Sequence, residues 1–377
     1  MTRRTVFTFM FFLFSLSSIH TQSGPAQSRP WWLSLEQGKL FFRNGAYGDA
    51  LMAFEDARRG RLEVFSRMED NMILALSTPE LRWYGDSLDR METYCAERNI
   101  YQVTEALREL YYRYPKDRLN NSIRRALEEI DHLKSYPEAE FWLGETYRAE
   151  GELGLALKQY QKAYSLRSLL EAPEFDLEIL YKTVEVHRIR QEYQEMENVA
   201  LEILRSPGRD ILWAGEAEGF ARASMMRILE NEGIGRFLTL YRYNNFQVER
   251  AHRFLGFYYY DSSRHNQSAE HLMFAFLIQN TLIIEEVIRQ QFDFTFTTLD
   301  NLMEAISRKP DVQSYLDETQ YYRTMYFLGT SLYATGKLLP ARQIWNFLAS
   351  RPDAGEWRNR ARSQLQSPYI DRARESP

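Results

Sequence analysis

The sequence has 377 residues, of which 44% are apolar, 26% charged and 14% aromatic, and its formal net charge is −5. The apolar share is too high for a disordered chain, and the scarcity of glycine (18) and proline (12) argues against collagen-like and hairpin-rich β classes. A single cysteine excludes a disulfide framework and a cysteine-based structural zinc site, and the acidic balance argues against nucleic acid as a partner.

The first predicted element is an export signal at residues 1–23. Arg3 and Arg4 give its start a positive charge. Residues 6–19 then form an uncharged apolar run of 14 residues, which is shorter than the roughly 20 that a membrane-spanning helix needs. The polar stretch that follows predicts cleavage near Ser23 and a polar linker at 24–30. The mature chain is therefore expected to be periplasmic or secreted, without an integral membrane segment. The alternative is an uncleaved N-terminal membrane anchor.

From residue 31 to about residue 365 the apolar residues recur at helical spacing. One such stripe consists of Val103, Ala106, Leu107, Leu110 and Tyr111. Most prolines fall at the edges of these blocks, where they begin or end helices. The alternating stretch at 292–297 is predicted to be an extended linker or an irregular helix. The pattern as a whole predicts an all-α chain.

Four segments of this helical region share one spacing. Each contains a glycine followed three residues later by an aromatic residue or leucine, and in three of them an alanine follows at twelve. These glycines are Gly38, Gly144, Gly256 and Gly329. In three segments a second glycine stands seven residues after the first. It predicts that the first helix ends there, with a glycine in the left-handed backbone conformation. The anchors are 106, 112 and 73 residues apart, which fits about three, three and two units of roughly 36 residues.

This spacing resembles the tetratricopeptide repeat (TPR) family, whose pattern is Leu-Gly-x-x-Tyr, then Ala-x-x-x-Phe, then Pro, over about 34 residues. The tryptophan that the family often places before the leucine is absent from all four segments. The resemblance implies an α-α superhelix, or solenoid, of about eight or nine antiparallel helix pairs over residues 31–352. A capping helix and a frayed tail are expected at 353–377. The clear copies lie near 31–60, 137–168, 249–280 and 322–352.

In the TPR proteins that this sequence resembles, the first helix of each pair lines a concave groove that holds an extended peptide or a partner's helix. Carried over by position, the predicted groove residues are Lys39, Phe42, Phe141, Glu145, Arg148, Tyr181, Arg188, Arg253, Phe257, Tyr260, Tyr326 and Tyr333. Tyrosine, phenylalanine and arginine are common at protein interfaces, and the alternative for each aromatic residue is packing between units. Leu35 and Lys39 replace the basic and Asn groups of the carboxylate-clamp subclass, so a chaperone C-terminus is not expected.

No motif for catalysis is found in the sequence. It lacks a Gly-rich phosphate loop, a Gly-x-Ser-x-Gly elbow and a His-Glu-x-x-His helix. His265, Glu270 and His271 do not have the spacing of a zinc helix, and Cys95 has no adjacent histidine. We therefore expect no catalytic residue, no metal and no cofactor.

The leading hypothesis is an exported, non-enzymatic TPR scaffold whose groove mediates interaction with another protein or peptide of the cell envelope. A second hypothesis is a solute- or lipid-handling accessory protein with an apolar pocket inside the superhelix, motivated by the aromatic content. A third is an enzyme with an unrecognised site. Fold-level resemblance alone does not choose among them.

Overall fold

The computed structural model describes residues 30–76, 129–206, 210, 212–213 and 218–371. These residues form α-helices joined by turns, with two short 3-10 segments and no strand, so the predicted all-α class is confirmed. The predicted signal peptide, nearly all of the linker that follows it, the stripe at 103–111 and Cys95 lie outside the described residues.

The described helices are numbered in chain order. They are α1 (Trp31–Arg43), α2 (Tyr47–Leu76), α3 (Pro137–Ala149), α4 (Leu153–Ser165), α5 (Phe175–Ile189), α6 (Tyr193–Arg205), α7 (Glu218–Leu240), α8 (Phe246–Asp261), α9 (His265–Gln290), α10 (Leu299–Ile306), α11 (Pro310–Glu318), α12 (Tyr321–Ala334), α13 (Leu338–Ser350) and α14 (Glu356–Gln366). The stretch 292–297, between α9 and α10, is a non-helical connection.

Within the described residues, five helix pairs turn in the same way: α1/α2, α3/α4, α5/α6, α8/α9 and α12/α13. In each turn one residue has a positive φ; these residues are Gly45, Gly151, Gln191, Ser263 and Gly336. Its N–H donates to the carbonyl three residues earlier, and the next N–H donates to the carbonyl five residues before itself. This is the Schellman arrangement, which satisfies the last carbonyls of the first helix.

The anchor glycines are the points of closest approach between the two helices of a pair. Each faces the side chain sixteen residues later: Gly38 faces Phe54, Gly144 faces Tyr160, Gly256 faces Leu272 and Gly329 faces Trp345. A Cβ atom on Gly144 would lie 2.6 Å from Tyr160 Cε1. Only glycine fits there, because no side chain can approach an aromatic ring that closely.

The pair α5/α6 reverses this size relationship. Val184 stands where the other pairs have glycine, and Ala200 stands sixteen residues later. Both side chains are buried in one hydrophobic cluster. The large and small residues have exchanged helices, which keeps the helices close and explains why the glycine-based pattern is degenerate in this pair.

Substituting Gly144 by alanine should lower the free energy of unfolding by about 1–3 kcal/mol, because the added methyl group collides with the buried ring of Tyr160. Gly48 in α2 is the matched control. A Cβ there meets nothing within 4 Å, so Gly48→Ala should be neutral or should stabilise by about 0.5–1 kcal/mol. Urea unfolding followed by circular dichroism measures both. Equal effects of the two substitutions would contradict the close approach.

Successive pairs are packed together, with the second helix of one pair against the first helix of the next. These contacts are α2 with α3, α4 with α5, α6 with α8 and α9 with α12, and α13 then packs against α14. The helices α2 and α3 are in direct contact, with Arg58 Nη1 3.5 Å from Glu140 Oε1. The units predicted between Gly38 and Gly144 fall largely on residues 77–128, which lie outside the described residues.

A helix outside the repeat spacing, α7, packs against α13 and α9. It kinks at Gly233, where φ is 84°. The Ile234 N–H donates to Gln343 Oε1 at 3.2 Å. The kink thus turns a backbone donor of α7 toward α13, where Gln343 accepts from it.

A buried polar cluster, which we call the Asp210 cluster, joins the segment before α7 to the core. Asp210 Oδ1 accepts a hydrogen bond from the Tyr243 hydroxyl at 2.5 Å. The other carboxylate oxygen, Oδ2, lies 3.2 Å from His252 Nε2. His252 Nδ1 lies 3.1 Å from His271 Nδ1. The Trp213 ring stacks on His271, with ring centroids 4.4 Å apart. The cluster links α8 and α9 through side-chain hydrogen bonds in the protein interior.

The helix α9 is long and apolar enough to cross a membrane by composition, and it is the one described helix that meets that test. Of its most apolar window, 78% is buried among other helices. This is the burial of a central core helix, since α8, α12, α7 and α10 all pack against it.

Candidate protein-binding surface

The first helices of the five pairs (α1, α3, α5, α8 and α12) carry a continuous row of side chains, which we call the first-helix row. Its members are Lys39, Trp142, Glu145, Arg148, Lys182, Glu185, Arg250, Arg253, Phe257 and Arg323. At one end Lys39 Nζ of α1 lies 5.9 Å from the centre of the Trp142 ring of α3. At the other, the Arg323 guanidinium of α12 lies 4.3 Å from the centre of the Phe257 ring of α8.

Ion pairs connect the middle of the row. Glu145 Oε2 of α3 lies 4.0 Å from Lys182 Nζ of α5. Lys182 Nζ lies 3.5 Å from Glu185 on the same helix, and Glu185 in turn bonds to Arg250 of α8. The three helices are thus joined along one face by alternating charges.

Glu145 is the most buried charge of this network. Arg148 donates to its two carboxylate oxygens at 3.0 and 2.9 Å, and the Tyr160 hydroxyl donates to it as well. Burial opposes the charge on Glu145, but the hydrogen bonds from Arg148 and Tyr160 outweigh it, so its pKa is lowered. Glu145 and Arg148 therefore act as a fixed, charged pair.

A cavity of about 700 Å³ opens in the row where α5, α6, α8 and the start of α12 meet. Its lining includes four arginines and four aromatic residues, and we call it the arginine pocket. They are Arg188, Arg250, Arg253, Arg323, Tyr193, Phe254, Phe257 and Tyr258. The volume falls in the range of about 300–1,000 Å³ that is usual for ligand sites.

Neighbouring groups hold the pocket arginines in place. Arg253 donates through Nε to Glu249 at 3.0 Å, and its side chain is 18% exposed. Arg250 bonds to Glu185, and its guanidinium lies 4.7 Å from the centre of the Tyr181 ring. Cation–π and ion-pair contacts of this kind restrict long side chains before any ligand arrives.

Left-handed backbone also borders the pocket. Three described non-glycine residues have positive φ: Gln191 (60°), Ser263 (58°) and Gln320 (52°). Gln191 and Gln320 line the pocket, and Ser263 follows the lining residue Ser262. This conformation costs an ordinary residue about 1–2 kcal/mol, and at the turn position of Gln191 and Ser263 the other three pairs have glycine. Such strain concentrates at functional sites.

The structure brings three predicted groove residues together in the pocket: Arg188, Arg253 and Phe257. Lys39, Glu145 and Arg148 lie further along the row, toward α1, and Phe42 of α1 lies beside it. Phe42 is half-buried against Trp142, with ring centroids 5.5 Å apart.

The remaining predicted groove residues pack within the protein. Phe141, Tyr181, Tyr260 and Tyr326 are buried, and Tyr333 is half-buried with its ring centre 5.6 Å from that of Trp345. For these aromatics the structure shows the interior packing that was the alternative to groove lining.

The C-terminal segment covers two of these tyrosines. The Tyr260 hydroxyl donates to the Asp371 carbonyl at 2.6 Å, and the Tyr326 hydroxyl donates to Asp371 Oδ2 at 2.9 Å. Arg360 of α14 lies 3.3 Å from the same carboxylate. Residues 367–371, expected to be a frayed tail, are therefore docked on α8, α12 and α14.

Sequence reasoning missed Arg250, Phe254 and Arg323. For the first two a signal exists, because Arg250 and Phe254 each lie three residues before a predicted residue, Arg253 and Phe257, on the same helical stripe. Arg323 likewise lies three residues before a predicted residue, Tyr326, but its place beside Phe257 depends on how α12 packs against α8.

The histidines and acids singled out in the sequence do not converge. His271 belongs to the Asp210 cluster, whereas Glu270 accepts from Arg222 Nε at 3.1 Å and His265 packs against the Tyr260 ring. Among the described residues no group of three or more His, Cys, Asp or Glu side chains is placed to hold a metal ion.

Comparison with known proteins identifies similar proteins, but none that indicates an activity for this chain. No family model matches the chain. The chain is 23% identical over 357 residues to an uncharacterized protein of Treponema pallidum (strain Nichols), a match that covers 94% of this chain and 95% of that protein. It is 20% identical over 237 residues to an uncharacterized protein of Borreliella burgdorferi, covering 59% of this chain and 73% of the relative. Because both relatives are uncharacterized, the similarity carries no function to this chain.

Proposed function

We propose that this protein is an exported, non-enzymatic scaffold of TPR-like helix pairs that binds another protein or peptide of the cell envelope along its first-helix row. The observation that carries the proposal is the arginine pocket, because three successive first helices, α5, α8 and α12, contribute to it. A binding surface built from several repeats is how stacked helix pairs generate recognition sites.

The stacking of the pairs supports a superhelix. Each pair buries its second helix against the first helix of the next, so neighbouring pairs complete one another's core. The first helices then share one face, on which the row lies. The export part of the proposal rests on residues 1–23, which precede the described residues.

The composition of the pocket favours a peptide over a lipid. A lipid chain requires a lining that is almost wholly apolar, whereas this lining combines four guanidinium groups with four aromatic rings. Arginine, tyrosine and phenylalanine in combination are the residues enriched at protein interfaces.

Affinity capture from an envelope extract tests the proposal. The double variant Arg253→Glu, Arg323→Glu should retain at least about tenfold less of the partner than the unmodified chain, because charge reversal at a central contact costs more than 1.4 kcal/mol. The matched control reverses two arginines outside the pocket, Arg59 and Arg236, whose side chains are 68% and 54% exposed. Retention of the same proteins by both double variants would refute the row as the binding surface.

A further inference from the structure

We infer that the arginine pocket binds a short acidic segment of a partner protein in which a carboxylate stands beside an aromatic or long aliphatic side chain. The inference rests on the proposed function and specifies the chemistry of its ligand. It is carried by the hydrogen bonding of the arginines, the aromatic walls and the size of the cavity.

The charges that line the pocket are predominantly positive. Four arginines and one acidic residue, Asp261, line the cavity. Two further carboxylates, Glu249 and Glu185, bind Arg253 and Arg250 from beside the cavity. With these two glutamates counted, four arginines stand against three carboxylates, and the remaining positive charge favours an anionic segment.

Arg253 retains hydrogen-bonding capacity toward the cavity. Among the described residues, Arg253 donates to Glu249 through its Nε. Its two terminal amino groups therefore remain available to a ligand. A guanidinium presents its donors in a planar fork that matches the two oxygens of a carboxylate. Because the side chain is mostly buried and held by Glu249, little rotamer freedom is lost when the ligand binds.

Arg323 is also held in place by neighbouring groups. Its Nη1 donates to Gln320 Oε1 at 2.9 Å, and its guanidinium covers the Phe257 ring. Gln320 has a left-handed backbone, with a φ of 52°, and lines the same cavity. The strained residue thus acts as a positioning residue for an arginine of the pocket.

The aromatic walls set the second requirement on the ligand. The Tyr193 and Tyr258 rings are stacked, with centroids 6.1 Å apart and planes at 19°. Phe254 also lines the cavity, and the Arg250 guanidinium lies 5.8 Å from the centre of its ring. Rigid aromatic surface of this kind favours an apolar side chain next to the charged one. A cavity of about 700 Å³ accommodates a segment of a few residues, not a folded domain.

Selection of a random-sequence peptide library displayed on phage, against the purified chain, tests the inference. The selected peptides should be enriched in Asp and Glu next to Tyr, Phe, Trp or Leu. A synthetic copy of one peptide should bind at least about tenfold more weakly to Arg253→Gln and to Arg323→Gln. Binding should also weaken as the salt concentration rises from about 0.05 to 0.5 M. The matched controls Arg59→Gln and Arg236→Gln should bind normally, and circular dichroism establishes that every variant is folded.

Three results would overturn the inference, and they are distinguishable. Neutral or basic peptides whose binding depends on the pocket arginines would refute the acidic ligand and leave the proposed function standing. Absence of any peptide that depends on the pocket would contradict both. Citrate or phosphate binding at the pocket as tightly as the selected peptide, measured by calorimetry, would replace a protein segment by a free anion.

Discussion

Replacing Asp210 by alanine should lower the free energy of unfolding by about 3–5 kcal/mol, the largest single-residue effect we expect. Asp210 is fully buried. Its carboxylate accepts from the Tyr243 hydroxyl and from the Leu212 N–H at 2.9 Å, and it faces His252 Nε2. Alanine would leave each of these buried groups without its partner, and the loss of an acceptor is more costly inside a protein than at its surface.

Urea unfolding at about pH 7.5, followed by circular dichroism, measures this effect. Asp210→Asn is the informative second variant, because it keeps one acceptor oxygen and should fall between alanine and the unmodified chain. The matched control is Asp311→Ala, at an exposed aspartate near the start of α11. A loss of less than about 1 kcal/mol for Asp210→Ala would mean that the Asp210 cluster does not hold α8 and α9 together.

Acidification should destabilise the protein through His271, by up to about 1.4 kcal/mol for each pH unit below 6.5. Burial, together with the charges of His252 and Arg222, lowers the pKa of His271 well below its usual value. The folded protein therefore keeps His271 neutral, while the unfolded chain takes up a proton below about pH 6.5. Since the unfolded state binds more protons, the stability that is present above this pH is lost as the pH falls.

The side chains around His271 come from several different segments of the chain. His252 comes from α8, Arg222 from α7 and Trp213 from the segment before α7. His271→Asn should remove most of the loss of stability between about pH 6.5 and 5. His132→Asn, at an exposed histidine, should leave the pH profile as it is. Parallel profiles for the unmodified chain and His271→Asn would contradict a neutral, buried His271.

The repeat spacing could be predicted where it depends on local packing. Gly38, Gly144, Gly256 and Gly329 were identified from sequence because a close helix contact requires a small residue at a fixed distance from a large one. The pair α5/α6 was harder to recognise, since Val184 and Ala200 satisfy the same contact with their sizes exchanged. Such compensation preserves the structure and removes the motif.

The order in which pairs stack could not be predicted in the same way. Direct packing of α2 on α3, and of α7 on α13, depends on contacts between residues far apart in sequence. Arg58 and Glu140, for example, form an ion pair across 82 positions. Helical periodicity reports which face of a helix is buried, but not which helix covers it.

The same limit applies to the candidate site. Arg188, Arg253 and Phe257 could be predicted from their register within the repeat, and the stripe that carries Arg253 and Phe257 also contains Arg250 and Phe254, which were not predicted. Tyr260 and Tyr326 have equivalent positions, but Asp371 covers them. Docking of a C-terminal segment leaves no periodic trace in the sequence, so burial of these tyrosines became apparent only in the fold.

The central claim is that a partner protein contacts the first-helix row at the arginine pocket, and site-specific photo-crosslinking tests it most directly. Benzoylphenylalanine replaces Phe254, which lines the pocket, or Phe220 of α7, which is exposed and lies outside it. The account predicts that irradiation in envelope extract links one protein to the chain from position 254 and not from position 220. Crosslinks of equal yield from both positions, or from position 220 alone, would contradict it.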